Sequence, residues 1–304
     1  MSEPSAAAPS AVSTGRLIVQ AVLKTDVGLV RTENQDFATL TNGREESASH
    51  AGGRLMIVAD GMGGHRGGGT ASRLAVETVK TSYLAAEGDD VPAVLREAMA
   101  RANARVFTEA QSNADLRGMG TTTSALVVRG EKAWFAHVGD SRIYMLRGDE
   151  FKQLTQDHSL VATMVREGLL TEAEAETHPR RNVLQRSIGV TEDVEIDVVG
   201  PIDVQEGDVF LLCSDGLHGV LKEDELKEVA KLPIERAADE YVRLAIQRGA
   251  PDNVTVIVAK VVRAGSAGEE TLTESDDAPF DDTIRERRRQ AASGTSTPTR
   301  PSTG

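Results

Sequence analysis

The 304-residue chain has little cysteine and no long apolar run, and each shortage excludes a class of protein. Cys213 is the only cysteine, so the chain can form no internal disulfide, as is usual in a reducing compartment. No stretch of about 18 consecutive apolar residues occurs, so we expect no membrane-spanning helix. These two observations together predict a cytoplasmic protein.

Basic side chains are also scarce relative to acidic ones. The chain has 34 Lys and Arg against 47 Asp and Glu, which gives a formal net charge of −13. A protein that binds nucleic acid through its backbone phosphates needs a basic surface, so we expect no nucleic-acid partner. Aspartates that cluster to bind divalent cations would explain part of the acidic excess.

Aspartates recur at the ends of short apolar segments. Asp60 directly follows the segment 55–59, and Asp140 and Asp215 follow 136–138 and 210–213 after one intervening residue. Asp252 precedes the segment 254–258, again with one residue between them. A single Asp-Gly pair most often marks only a turn. Several aspartates at strand ends can instead converge on one edge of a sheet, where their oxygens suit Mg²⁺ or Mn²⁺.

Composition divides the chain into three segments. Residues 1–15 are rich in Ser, Ala and Pro, and residues 263–304 are rich in Thr, Ser and Pro, so we predict that both are disordered. Residues 16–262 are predicted to form the folded domain. A short basic run at 285–290 has a second interpretation, as a docking segment for an acidic or phosphorylated partner.

Hydrophobic spacing within the folded domain predicts clustered strands and paired helices. Helices are predicted from about residue 69 and over 91–106, 159–166, 171–178, 222–231 and 233–248. Strands are predicted over 16–26, 38–41, 55–59, 122–128, 133–138, 143–146, 151–154, 194–199, 209–212 and 253–262. The order contains no repeating βαβ unit, which argues against a doubly wound parallel sheet.

Seven motifs in this order resemble those of the metal-dependent Ser/Thr protein phosphatases of the protein phosphatase 2C family, in their bacterial form. The resemblance extends from about residue 22 to residue 262. The motifs are Arg31-x-x-Asn34-Gln35-Asp36, Asp60-Gly61-Met62-Gly63-Gly64-His65, Gly120-Thr121-Thr122, Val138-Gly139-Asp140-Ser141-Arg142, His178-Pro179-Arg180-Arg181-Asn182, Ser214-Asp215-Gly216-Leu217 and Asp252-Asn253-Val254-Thr255. The resemblance implies an α+β fold, a four-layer α-β-β-α sandwich in which two packed antiparallel sheets are flanked by helices.

The resemblance also implies two Mn²⁺ or Mg²⁺ ions in the active site. Asp60 would bridge the two ions, the carbonyl of Gly61 would bind the second, and Asp215 and Asp252 would hold the first. Asp140 would share a third, more weakly bound ion with Asp215. A metal-activated water would then attack the phosphorus of phosphoserine or phosphothreonine.

Three further residues receive catalytic roles by the same resemblance. Arg31 would hold the phosphate oxygens, because its guanidinium offers two parallel donors. Asp36 would accept hydrogen bonds from metal-bound waters. Met62 stands where eukaryotic members have a His proposed to protonate the leaving alkoxide, so His65, Asp36 or a metal-bound water remain as alternative acids. Gln35 stands where some members have Glu, so its contact with the second ion would run through water.

The resulting hypothesis is a monomeric phosphatase that acts on phosphorylated proteins in bacterial signalling and opposes Ser/Thr protein kinases. One alternative is a catalytically silent module that binds phosphoproteins, although the complete set of Asp60, Asp215 and Asp252 argues against lost activity. Another alternative is a metallohydrolase of small phosphoesters. Residues 165–182 resemble the bacterial flap beside the active site, and their arginines could touch a phosphoprotein.

Overall fold

The computed structural model describes residues 15–41, 53–63 and 67–264 of the chain. The predictions for residues 1–14, for the segment from 265 onward and for His65 lie outside these described residues, and the domain boundaries stay predictions. Within the described ranges, no helix combines the length and the apolar character needed to cross a membrane.

Eleven strands and seven α-helices occupy the described residues. The strands are β1 (Leu17–Asp26), β2 (Asp36–Leu40), β3 (Arg54–Met62), β4 (Gly120–Thr121), β5 (Thr123–Arg129), β6 (Lys132–Val138), β7 (Arg142–Arg147), β8 (Glu150–Gln153), β9 (Asp197–Asp203), β10 (Val209–Cys213) and β11 (Val254–Arg263). The helices are α1 (Gly67–Ala85), α2 (Val91–Ser112), α3 (Leu160–Arg166), α4 (Glu172–Thr177), α5 (Asp215–His218), α6 (Glu223–Ala230) and α7 (Ile234–Gln247).

The strands form two antiparallel sheets. One sheet has the order β1–β11–β10–β7–β8, and the other has the order β2–β3–β5–β6–β9 with β4 paired to β3. The chain therefore leaves and re-enters each sheet without any parallel βαβ unit, as the sequence predicts.

Three layers of buried apolar side chains hold the sandwich together. The layer between the sheets includes Met56 and Val58 of β3 against Phe210 and Leu212 of β10. The opposite face of β3, with Ile57, packs under α1 and α2. Helices α6 and α7 cover the outer face of the first sheet. Because β3 is covered on both faces, it reads as a continuous apolar run, and the predicted four-layer α-β-β-α sandwich is confirmed.

Several local predictions match the structure, and others differ from it. The helices predicted to begin near residues 159 and 171 do so, since Ser159 caps α3 through the amide of Ala162 and Thr171 forms a capping box at the start of α4. The strand expected over 194–199 begins at Asp197 and continues to Asp203. Pro233 is the cap before α7 rather than its first residue. Helix α5 was not predicted, because one helical turn has too few residues to show a periodic pattern.

Strand pairing brings the acidic segments to one end of the sandwich. In the first sheet, Cys213 at the end of β10 pairs with Arg142 at the start of β7 and with Val256 near the start of β11. In the second sheet, Asp36 at the start of β2 lies opposite Asp60 near the end of β3. Residues far apart in the chain also meet at this edge, since Arg31 and Asp252 are 221 positions apart and are hydrogen-bonded.

Candidate active site

A cleft of about 240 Å³ opens at this edge between the two sheets. Its lining contains six of the eight predicted site residues, together with polar and apolar neighbours from both sheets: Arg31, Gln35, Asp60, Gly61, Met62, Gly63, Thr122, Asp140, Asn182, Leu184, Asp215 and Asp252. Asp36 lies next to this cleft, and His65 falls outside the described residues. The structure therefore brings the predicted acids together.

The backbone of Asp60 is fixed by the neighbouring threonines. Its amide donates to Oγ1 of Thr122 at 2.9 Å, and its carbonyl accepts from the amide of Thr122 at 2.9 Å and from Oγ1 of Thr121 at 2.8 Å. Burial raises the pKa of the Asp60 carboxyl well above its ordinary range, and the charges of Asp36 and Asp215 raise it further. The backbone of Asp60 is thus held in place, while the charge of its carboxylate is poorly compensated.

Gly61 stands where only glycine fits. A Cβ at this position would lie 2.0 Å from the carbonyl oxygen of Gly68 and 2.6 Å from that of Gln35. The start of α1 therefore packs directly against the backbone that follows Asp60. This close approach explains the glycine on packing grounds alone, and its carbonyl oxygen is a hard oxygen ligand at the same place.

Asp215 and Asp140 enter the cleft from the segments that follow β10 and β6. Asp215 begins α5, one residue beyond the end of β10, and its buried Oδ1 has no hydrogen-bond partner among the described residues. Burial and then the charge of Asp252 raise the pKa of Asp215. Asp140 follows β6, where burial, followed by the charge of Asp215, raises its pKa to about 8.

Among the described contacts, Asp252 is the one acid of the cluster that pairs with a basic side chain across the cleft. Arg31 donates from Nη2 to Oδ2 of Asp252 at 2.7 Å, and the Arg31 side chain is 51% exposed. This hydrogen bond is the main cause that raises the pKa of Arg31. The guanidinium therefore stands at the cleft mouth, beside a carboxylate that sequence reasoning assigns to a metal.

Asp36 lies beneath the cleft acids and is held by a residue that the sequence analysis did not single out. Oγ of Ser214 donates to Oδ2 of Asp36 at 2.7 Å and accepts from the amide of Thr255 at 3.0 Å. Oδ1 of Asp36 has no partner in the described part of the chain. Burial is the main cause that raises the pKa of Asp36 to about 7. Ser214 could have been found from its place directly before Asp215.

The charge balance of the cleft fits a cation. Arg31 is the only basic residue among the twelve described residues that line it, against four aspartates. Like charges at short range in a low dielectric raise each other's pKa values, and a divalent ion would remove that cost. Among the described residues, no three Asp, Glu, His or Cys side chains already stand as a closed metal site. The fit therefore rests on the oxygen donors and on the two unpartnered oxygens of Asp36 and Asp215.

The segment between β8 and β9 folds back to the rim of the cleft. The amide of Leu160 donates to the carbonyl of Val183 at 2.8 Å, and Asn182 and Leu184 line the cleft. Arg166 is engaged locally, since its guanidinium donates to the carbonyl of Asp157 at 3.2 Å and to Oγ1 of Thr163 at 2.9 Å. The neighbouring arginines 180 and 181 are exposed. A large substrate can therefore reach the rim, where the Arg166 guanidinium already donates hydrogen bonds to neighbouring residues.

Comparison with known families adds to this geometry. The profile of the family described as Protein phosphatase 2C matches residues 32–255. The protein phosphatase PhpP of Streptococcus pneumoniae is 38% identical over 245 residues, which cover 79% of this chain and 96% of that protein. The serine/threonine protein phosphatase PstP of Mycobacterium tuberculosis is 36% identical over 247 residues, which cover 81% of this chain but only 46% of that protein.

Solved structures give the same result. The M. tuberculosis phosphatase PstP/Ppp superposes with a TM-score of 0.72 at 33% identity, covering 81% of this chain and 100% of that one. The catalytic domain of PstP in complex with two manganese ions superposes with a TM-score of 0.70 at 33% identity, covering 81% of this chain and 99% of that one.

Proposed function

Because this chain belongs to the protein phosphatase 2C family and is a protein-serine/threonine phosphatase, we propose that it works with Mn²⁺ or Mg²⁺ held at the acid cluster. Asp60, the carbonyl of Gly61, Asp215 and Asp252 would hold two ions, and Asp140 would hold a third more weakly. The observation that carries this proposal is the convergence of four aspartates around one arginine. Bound divalent cations supply a water of lowered pKa and neutralise charge on the phosphate.

The chain's own residues supply the binding and the orientation. Arg31 stands at the mouth of the cleft and offers donors to the oxygens of the phosphate. Asp36, held by Ser214, presents an unpartnered carboxylate oxygen that can accept a hydrogen bond from a water in the cleft. Met62 lines the cleft with a thioether that has no proton to give, so the leaving alkoxide takes its proton from another group.

The finer biological assignment is also part of the proposal. The substrates are phosphoserine and phosphothreonine in proteins, including those phosphorylated by Ser/Thr protein kinases, and the protein acts in bacterial signalling in the cytoplasm as a monomer. Relatives named as Ser/Thr protein phosphatases support the substrate class, because they are 36–38% identical over most of this chain. Residues 16–262 are proposed as the catalytic domain, and the profile match lies inside them.

The test is phosphate release from a phosphothreonine peptide by the wild-type protein and by Asp60→Asn. We expect Mn²⁺-dependent turnover in the wild type and a loss of about a thousand-fold in the variant, because a group of residues that acts as a unit fails when one member is removed. Asp239→Asn on α7 is the matched control, because this aspartate is exposed and pairs only with Lys24 in the described contacts. Full turnover in EDTA would contradict the proposal.

The two alternatives give different results in the same assay. A silent module would bind the phosphopeptide tightly under Mn²⁺ and release no phosphate. A hydrolase of small phosphoesters would turn over free phosphometabolites faster than phosphothreonine peptides. We expect the reverse preference, because the rim formed by Asn182 and Leu184 is open to a chain that passes across the cleft.

A further inference from the structure

The segment that carries Arg31 has no regular secondary structure. Residues 27–35, here called the Arg31 loop, connect β1 to β2 without helix or strand. A bidentate contact between guanidinium and phosphate depends on position to a fraction of an ångström, so a side chain on such a loop needs an anchor. The contacts that hold this loop therefore decide how well Arg31 can act.

Asn253 provides such an anchor from the other end of the chain. Its side chain is buried, with the residue 4% exposed, directly before β11. Nδ2 donates to the carbonyls of Val27 and Glu33, both at 3.0 Å, and Oδ1 accepts from the amide of Gln35 at 2.8 Å. Both N–H groups and the oxygen of the amide are thus used on the two ends of the Arg31 loop.

The backbone around Asn253 also packs against the Arg31 loop and forms a hydrogen bond with it. The amide of Leu29 donates to the carbonyl of Ala250 at 3.0 Å. Gly28 has a φ of +76°, and a Cβ there would lie 2.2 Å from the carbonyl oxygen of Asp252. These contacts align the start of the loop, while the Asn253 side chain also reaches its end, beyond Arg31.

We propose that Asn253 is a positioning residue for phosphate binding, because its side chain fixes both ends of the Arg31 loop and so places the Arg31 guanidinium. The inference rests on the proposed function, in which Arg31 holds phosphate. Asn253 also donates from its backbone amide to Oδ1 of Asp252 at 2.9 Å, a contact that a side-chain variant keeps. Removing the side chain therefore separates the placement of Arg31 from the placement of Asp252.

The decisive experiment is a double-mutant cycle with Asn253→Ala and Arg31→Ala. Inorganic phosphate is the probe, measured as a competitive inhibitor of phosphopeptide hydrolysis. We expect Asn253→Ala to raise the inhibition constant by about ten-fold, with kcat changed less than about three-fold. In the Arg31→Ala background the same substitution should change the constant by less than about two-fold, because the guanidinium it positions is absent.

Asn103 on α2 gives a matched control elsewhere in the fold. It is 2% exposed, and its Nδ2 donates to the carbonyls of Thr191 and Glu192 at 3.1 and 2.8 Å, while Oδ1 accepts from the amide of Gly189 at 2.7 Å. Asn103→Ala removes the same three-bond pattern from a different loop. We expect a similar drop in thermal stability and no coupling to Arg31.

A second readout needs neither metal nor activity. In the metal-free protein, hydrogen exchange at the amide of Gln35 should speed up in Asn253→Ala and stay unchanged in Asn103→Ala, because only the first loses the acceptor for that amide. If Asn253→Ala does not fold, Asn253→Ser, which keeps a hydroxyl, takes its place in the cycle.

Two results would overturn the inference while leaving the proposed function intact. One is an equal increase of the phosphate constant in both Arg31 backgrounds. The other is an unchanged phosphate constant with a shifted Mn²⁺ half-saturation, which would place the effect on Asp252. A wild-type protein that releases no phosphate under Mn²⁺ would instead remove the proposed function, and this inference with it.

Discussion

The two ends of strand β10 carry aspartates in opposite electrostatic settings. Asp208, directly before β10, is 1% exposed and accepts two hydrogen bonds from Arg147, at 2.9 Å from Nε and 2.6 Å from Nη2. Asp215, just beyond the other end of β10, has a raised pKa and a buried oxygen without a partner among the described residues. The two ends of this strand, about 20 Å apart, thus place an aspartate in different surroundings: one is paired with an arginine, and the other has an unpartnered oxygen.

The difference lies in where arginine charge is placed. Arg147 ends β7 beside Asp208, and Arg142 begins the same strand beside the cleft. Arg142 makes its three carboxylate hydrogen bonds to Asp157, so its guanidinium is already engaged by that carboxylate rather than by the cleft acids. The buried Asp208 has its own arginine, whereas Asp60, Asp140 and Asp215 of the cleft have no arginine partner in the described contacts, which suits the proposed binding of a divalent cation.

The largest expected effect comes from neutralising the acid at the cleft end. Asp215→Asn should lower phosphatase activity by about a thousand-fold or more, because a proposed metal ligand is lost. In the absence of metal, the free energy of unfolding of the variant should be about 1–2 kcal/mol higher than that of the wild type, because one uncompensated buried charge is removed. Thermal unfolding in EDTA and phosphate release under Mn²⁺ measure the two effects, and a less stable apo variant would contradict the comparison.

Replacing Asp208, at the other end of β10, should lower the stability of the protein and leave its activity almost unchanged. Asp208→Ala leaves Arg147 without its buried partner and should cost about 3 kcal/mol of unfolding free energy. Activity per folded molecule should stay within about two-fold of the wild type, because Asp208 lies outside the cleft. Urea unfolding followed by an assay at low temperature checks both parts. A loss of activity without a loss of stability would show that Asp208 acts on the cleft and not on the stability of the fold.

His137 is a third kind of buried titratable group, one that stays neutral in the folded protein because its pKa is lowered. His137 on β6 is fully buried and lies 4.7 Å from the ring of His158, and burial, followed by the charge of His158, lowers the pKa of His137 to about 4. The unfolded chain binds this proton below about pH 6.5, and the folded chain does not until about pH 4. The contribution of His137 to the free energy of unfolding is therefore complete above pH 6.5, and about 3 kcal/mol of it is lost as the pH drops to 4.

The variant His137→Gln isolates that contribution from the other titrating groups. We expect its unfolding free energy to change less between pH 6.5 and pH 4 than that of the wild type, whatever its absolute value. Denaturant midpoints at several pH values measure the difference. Parallel pH profiles for the two proteins would show that His137 binds its proton equally well in both states.

The smallest effect concerns Arg31, the one basic residue in the described lining of the cleft. Arg31→Gln should strengthen Mn²⁺ binding by about three-fold in the absence of phosphate, because the guanidinium no longer pairs with Asp252. Titration calorimetry measures this affinity. Arg243→Gln is the control, since Arg243 is equally exposed and pairs with Glu240 on the surface of α7. Weaker Mn²⁺ binding in Arg31→Gln would indicate that Arg31 supports the ion instead of competing with it.

The fold and the members of the acid cluster were predictable because they leave local traces. An apolar run that ends in Asp-Gly marks a strand end, and motif order relates the chain to a known family. The outer boundary of β9 was less predictable, since its residues are half-exposed and alternate weakly. Helix α5 is too short for any period.

What sequence could not supply is the pairing of charges over long separations. Arg147 and Asp208 are 61 positions apart, and Arg31 and Asp252 are 221 positions apart. Which aspartate receives an arginine depends on strand order and register, which tertiary packing decides. The role of Ser214 beneath Asp36 is hidden for the same reason, at a separation of 178 positions.

The position of β11 has a consequence for the order in which the protein becomes able to work. This strand is the last of the described elements, yet it lies in the interior of its sheet between β1 and β10. During synthesis, a nascent chain that has emerged only as far as α7 lacks both Asp252 and the strand that joins the first element to the rest. On the proposed role of Asp252 in holding a metal ion, we expect such partially translated chains to release no phosphate, so that activity would appear only once β11 has joined its sheet.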